Sequence, residues 1–206
     1  MVKSNGRKII IAVAPVGREV EPPSINPLTP EEVAQEVIDC TRAGASMVHL
    51  HVRDSRGEQT EDISDFSRTL GFIRDSSDII IQGSTGGLSN LTLAQRCVSV
   101  TDPRVEVASL NMGSVNFGEE VYINRLPDIR YWAGRMAAND VVPEMEIFEA
   151  GMVAASRMLI EEGAIKPPYY YNFALGAHWA APAEPGSLFY LTSLLPAGFP
   201  WSVVHD

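Results

Sequence analysis

Positive charge is in short supply in this chain. Sixteen Lys and Arg against 26 Asp and Glu leave a formal net charge of −10. Nucleic acids and anionic membrane surfaces both need a basic face, so neither is expected as a partner. Long apolar runs are also missing: none approaches the ~20 residues of a membrane span. The segment from Met1 to Lys8 leads into a short strand-like run rather than a signal peptide, which points to the cytoplasm. Cysteine is nearly absent. Cys40 and Cys97 are the only two, and neither has a CxxC partner, so two buried free thiols in a reducing compartment are expected. No Gly-x-Gly-x-x-Gly follows the first strand-like run, which removes the dinucleotide-binding fingerprint.

The remaining composition is that of a globular protein able to bury one core, read as one domain over residues 1–206. Short β-rich runs alternate with helical patterns. Lys8 to Ala14 reads as a buried strand. Thr29, Pro30 and Glu32 open a helix with a capping box, Val33, Val37, Ile38 and Thr41 give it an apolar face, and Gly44 ends it. Ser46 to Val52 is the second strand, and a helix follows from Ile63 to Arg74. Asp78 to Gln82 is the third strand, and Leu91 to Val98 is helical. Val105 to Asn111 is the fourth strand, followed by a long loop through Gly113, Asn116 and Gly118. Helix Pro127–Ala138, strand Val142–Phe148, helix Glu149–Glu162 and strand Tyr169–Leu175 come next. Helix Gly186–Leu194 and strand Phe199–Val204 close the pattern.

Strict alternation with mostly apolar strands means a parallel sheet covered by helices. Polar groups recur at the C-terminal ends of successive strands, where a barrel holds its active site. The expected fold is a (β/α)8 TIM-type barrel, here incomplete, with about seven strands and the last βα units missing.

His49 and His51 are the most informative residues. They account for half of the four histidines and point to one face of a strand, roughly 7 Å apart along the backbone. Their rings can turn onto one zinc or similar divalent ion. Such a site needs a third protein ligand, and a carboxylate is the natural choice. Glu144 and Glu146 also share a strand face. One could be that ligand, or the pair could fix a cationic group of a substrate. Ser84-Thr85-Gly86-Gly87 is a glycine-rich turn whose N–H groups and hydroxyls suit a carboxylate or phosphate. Ser109 and Asn111 end the next strand. Glu19 lies on a loop. Arg53-Asp54 could brace the histidines as an ion pair, and the His178-Trp179 pair could cover a substrate. His205 is given no role.

Several stretches, in order, resemble the β-keto acid cleavage enzyme family. They are Gly17-Arg18-Glu19-Val20, His49-Leu50-His51-Val52-Arg53, Ile80 to Gly87, Ala108 to Asn111, and Asn116-Phe117-Gly118. Pro143 to Phe148 with Gly151-Met152, Phe173 to Gly176, and Trp201-Ser202-Val203 complete the set. The resemblance implies a (β/α) barrel with zinc held by His49, His51 and a later glutamate. It implies a reversed Claisen condensation in which a β-keto acid and acetyl-CoA give acetoacetate and a new acyl-CoA. Ser84, Gly87 and Ser109 match substrate-holding positions, and Glu19 matches a glutamate that binds the amino group of an aminated keto acid. Asn111 and Glu146 are expected to line the same pocket. The family's catalytic arginine and its Glu-Asp pair match no residue up to Asp206. The implied partners are a small β-keto acid and a CoA thioester. Open strand edges favour a homo-oligomer. Two alternatives remain: a non-catalytic form with an incomplete metal site, and a different zinc-dependent lyase or aldolase on the same barrel.

Overall fold

In the structure, a computed structural model, the described residues are 9–16, 26–88 and 90–205. Nine strands form in chain order. They are β1 (Ala12–Val13), β2 (Met47–Leu50), β3 (Ile80–Gly83), β4 (Val107–Asn111), β5 (Val115–Phe117), β6 (Glu120–Tyr122), β7 (Val142–Ile147), β8 (Tyr170–Leu175) and β9 (Trp201–His205). Five α-helices are interleaved: α1 (Pro30–Ala43), α2 (Ser64–Arg74), α3 (Leu126–Ala138), α4 (Ala150–Glu161) and α5 (Pro185–Ser193). Seven strands make one parallel sheet in the order β1-β2-β3-β4-β7-β8-β9. That order follows the chain without reversal. A doubly wound sheet reverses at a switch point, so this is an incomplete (β/α) barrel with β1 and β9 as its edges.

The two faces of the sheet differ chemically. Val48, Leu50, Ile81, Leu110, Met145, Ile147, Tyr171 and Phe173 are buried on one face. They pack in one core with Val37, Leu70, Ile73, Trp132, Met136 and Leu159 of the helices. The other face carries His49, Gln82, Ser109, Asn111, Glu144, Glu146 and Asn172, which register places beside one another. Strand alternation produces this division, because every second residue points to the same side.

Helix α1 starts as its sequence dictates. Thr29 accepts the Glu32 N–H and Glu32 accepts the Thr29 N–H, a complete capping box, with Pro30 in the first turn. Gly44 ends the helix at φ 114°, a left-handed conformation that glycine adopts without a Cβ clash.

Four expectations change. The run 9–11, read as part of a buried strand, is exposed: Ile9 is 83% and Ile10 55% accessible. Register pairing is confined to Ala12–Val13, with the Ile11 carbonyl accepting the Ser46 N–H, and among the described residues β1 has a neighbour on one side alone. The segment read as helix Leu91–Val98 forms a 3-10 helix shifted to Gln95–Thr101. The segment read as a loop through Gly113 and Gly118 holds the antiparallel β5–β6 hairpin, with Gly118 at its turn. Both cysteines are free, but Cys40 is only half-buried.

Candidate active site

Strand β2 carries His49, and His51 follows directly past its end. His49 Nε2 and His51 Nε2 stand 3.3 Å apart, with the rings near perpendicular at 71°. The neighbouring strand orients the first of them: His49 Nδ1 lies 2.8 Å from Gln82 Oε1. A proton on Nδ1 satisfies that contact and leaves the Nε2 lone pair directed at His51. Burial lowers the pKa of His51 well below its usual range, with the His49 and Arg53 charges adding to the effect. Burial also lowers that of His49, against the opposing pull of Gln82 and Glu144. Both rings are therefore neutral, the form that binds metals. Two nitrogens held 2.0–2.1 Å from one tetrahedral zinc stand about 3.3 Å apart. The pair fits that requirement. Among the described residues, however, no cluster of three His, Cys, Asp or Glu could hold a metal. Glu144 and Glu146 stand on β7, with β3 and β4 between it and β2, and neither joins the histidines in such a cluster.

The turn after β3 differs from an open anion nest. Its four N–H groups are already engaged. Ser84 donates to the Leu50 carbonyl, Thr85 to Ser109 Oγ, Gly86 to Ser84 Oγ and Gly87 to the Tyr122 phenol oxygen. The hydroxyls of Ser84 and Ser109 each accept one of these bonds and keep their own protons. Those two hydroxyl protons, rather than the backbone, are free to meet an anionic group. Ser84 and Ser109 are 7% and 0% exposed.

Further along the same face, Asn111, Glu146 and Asn172 are register partners, as are Ser109, Glu144 and Tyr170. Asn111 Nδ2 donates to Glu146 Oε2 at 2.7 Å and to Tyr122 at 2.8 Å. Asn172 Nδ2 donates to Glu144 Oε1 at 3.0 Å. Both glutamates therefore line the face. Burial, reinforced by the Glu144 charge, pushes the Glu146 carboxyl up to about 8, so at neutral pH it is mostly protonated. Three buried polar atoms here have no hydrogen-bond partner among the described residues: Gln82 Nε2, Asn111 Oδ1 and Asn172 Oδ1.

Other candidates are placed elsewhere. Glu19 lies outside the described residues. Arg53 and Asp54 do not pair with each other. Arg53 donates to the Gly57 carbonyl, while Asp54 pairs with Arg56 at 3.0 Å, closing its own turn. Trp179 is 69% exposed. Two site residues were missed in the sequence. Gln82 was legible as a register neighbour of His49. Tyr122 carried no signal, because its contacts with Gly87 and Asn111 depend on the hairpin.

A model of the beta-keto acid cleavage enzyme family matches residues 8–205. The 3-keto-5-aminohexanoate cleavage enzyme of Fusobacterium nucleatum is 35% identical over 201 residues, covering 95% of this chain and 72% of that protein. The enzyme of the same name from Acetoanaerobium sticklandii is 35% identical over 195 residues, covering 92% of this chain and 71% of its own. Among solved structures, apo ObcA superposes with a TM-score of 0.69 at 19% identity, covering 87% of this chain and 50% of that one. That last likeness concerns the fold alone.

Proposed function

The chain belongs to the β-keto acid cleavage enzyme family, and from that premise we propose that it cleaves a β-keto acid with acetyl-CoA as co-substrate. The products are acetoacetate and a new acyl-CoA. The substrate proposed is an aminated β-keto acid such as 3-keto-5-aminohexanoate, the compound named for the two relatives above.

In this reading His49 and His51 hold a divalent metal, zinc by preference. When bound, such an ion supplies positive charge beside a keto oxygen and favours charge developing there. The rest falls to the chain's own groups. Ser84 and Ser109 present hydroxyl protons to the substrate carboxylate, with Gly87 shaping the turn. Glu146 holds a proton on a buried carboxyl near neutral pH, the state in which it can donate. Asn111 Oδ1 accepts a hydrogen from the substrate, and Glu19 receives its ammonium group. A homo-oligomer in the cytoplasm completes the proposal.

One observation carries it. Gln82 Nε2, Asn111 Oδ1 and Asn172 Oδ1 are buried, without partners among the described residues, on the face that holds the histidine pair. Each such atom costs about 1–3 kcal/mol. A polar ligand that meets them recovers that cost, and an aminated keto acid has acceptors in its keto and carboxylate oxygens and donors in its ammonium group. The test is acetoacetate release from 3-keto-5-aminohexanoate and acetyl-CoA. His49→Ala is expected to abolish it, and full activity in metal-stripped protein would overturn the metal's role.

A second reading is favoured by one observation: no third ligand joins the histidines among the described residues. It predicts less than one zinc per chain and no turnover with any β-keto acid.

A further inference from the structure

Among the described residues the β5–β6 hairpin pairs with no strand of the barrel sheet, yet it sends Tyr122 into the site. Tyr122 is 6% exposed. Its phenol oxygen accepts the Gly87 N–H at 3.0 Å, Asn111 Nδ2 at 2.8 Å and Arg96 Nη2 at 3.4 Å. Packing holds the ring as well. Phe117 and Phe148 meet it edge-on at 6.3 and 6.4 Å, and the Arg96 guanidinium lies 5.3 Å from its centroid. Arg96 in turn donates to the Thr85 and Ile123 carbonyls and to Asn124 Oδ1, joining the turn after β3 to the end of the hairpin. Space is equally tight: a Cβ on Gly86 would stand 2.3 Å from the phenol oxygen.

We propose that Tyr122 is a positioning residue for the β-keto acid site, locking the Ser84–Gly87 turn and the Asn111 amide to each other through one oxygen. The proposal rests on the functional reading above. Its logic is that of a shared acceptor. Asn111 divides its two amide hydrogens between Tyr122 and Glu146. That arrangement decides which end of the amide is left over, and it leaves Oδ1. Without the phenol oxygen, no acceptor on the Tyr122 side holds the Asn111 Nδ2 hydrogen, and the amide can turn over. The Gly87 N–H would lose its acceptor at the same time. The turn that presents Ser84 to the substrate would then be held by fewer bonds. Burial pushes the phenol up to about 12, so it remains neutral throughout the working pH range.

Tyr122→Phe removes the oxygen and keeps the ring. With 3-keto-5-aminohexanoate and acetyl-CoA, the full chain carrying this substitution should show a KM for the keto acid raised about 10-fold and kcat changed less than about 3-fold. Phe117→Leu serves as the comparison. It loosens the aromatic packing of the same hairpin without touching a hydrogen bond, and should lower Tm while leaving KM within about 2-fold. Amide hydrogen exchange gives a readout that needs no turnover. The Gly87 amide should exchange at least about 10-fold faster in Tyr122→Phe, with β4 and β7 still protected. An equal KM rise in both variants, an unchanged KM in Tyr122→Phe, or unchanged exchange at Gly87 overturns the proposal. A wild-type chain without turnover defeats the functional reading alone, because Gly87 exchange still decides whether Tyr122 holds the turn.

Discussion

His49 Nε2 faces His51 Nε2 at 3.3 Å because Gln82, one strand over, holds the far side of the first ring. The geometry of the pair is thus a property of two strands, β2 and β3, and not of the His-x-His spacing alone. Gln82→Ala is expected to weaken zinc binding roughly 10–100-fold, and His49→Ala to weaken it further. Competition with a chromogenic chelator measures both. Equal affinity in wild type and Gln82→Ala would show that the ring needs no outer support.

Glu146 makes stability depend on pH in a defined direction. Its carboxyl is raised from about 4.5 to about 8 on folding. Between those values the folded chain keeps a proton that the unfolded chain has lost, so the contribution is full below about 4.5 and fades as pH rises through about 8. In metal-free protein, the Tm of wild type relative to Glu146→Gln should fall from pH 5 to about pH 8 and level off above it. A constant difference would mean that Glu146 titrates normally.

The same substitution should have opposite effects at two glycines. At Gly86 an added methyl meets the Tyr122 oxygen at 2.3 Å and Asn111 Nδ2 at 3.2 Å. Neither group sits on a flexible chain end, so Gly86→Ala should destabilise by about 2 kcal/mol. Gly134, exposed in α3, has nothing within 4 Å of the added methyl. Gly134→Ala should stabilise by roughly 0.5–1 kcal/mol through the unfolded chain and helix propensity. Urea titration of both variants checks the pair of signs.

Arg96 is not replaceable by lysine. Its guanidinium spans three carbonyl oxygens and lies 4.2 Å from the Trp132 ring centroid. Lysine keeps the charge but lacks the planar fork. Arg96→Lys should lower stability by about 1–3 kcal/mol, visible as a fall in Tm. An unchanged Tm would reduce the clamp to a surface contact.

The edges of the sheet are expected to associate. Ile9, Ile10 and Ile11 beside β1, and Trp201, Val203 and Val204 on β9, are all more than 45% exposed. A charge on each edge blocks strand addition. Ile10→Lys combined with Val203→Lys should shift sedimentation toward the monomer, and an unaltered distribution would place the contact elsewhere.

The barrel and the histidine pair were readable because they depend on local period. Alternation puts His49 and His51 on one side, and β-α repetition puts the strands in order. The two glutamates follow from the same rule. What could not be read depends on partners distant in the chain. The N–H groups of Ser84 to Gly87 read as free donors, since nothing local shows that Leu50, Ser109 and Tyr122 take them. The hairpin was hidden because Gly113 and Gly118 resemble ordinary loop punctuation, and strands of three residues carry too little period to register. Ile9 to Ile11 read as core because a run of isoleucine says nothing about whether a second neighbour exists to cover it.

The unreversed strand order has a consequence for how the chain is made. Each strand pairs with the one that left the ribosome just before it in the sheet: Met47 with Ala12, Ile80 with Met47, Val142 with Val107, Trp201 with Tyr171. Every new βα unit therefore finds a waiting template, and the nascent chain can grow its layers vectorially, with only modest loops to close at each step. The hairpin enters that schedule late. Tyr122 emerges after the β3 turn it secures, so the Gly87 N–H gains its acceptor only once the hairpin has followed β4. Synthesis order and site rigidity are in this way tied to one tyrosine.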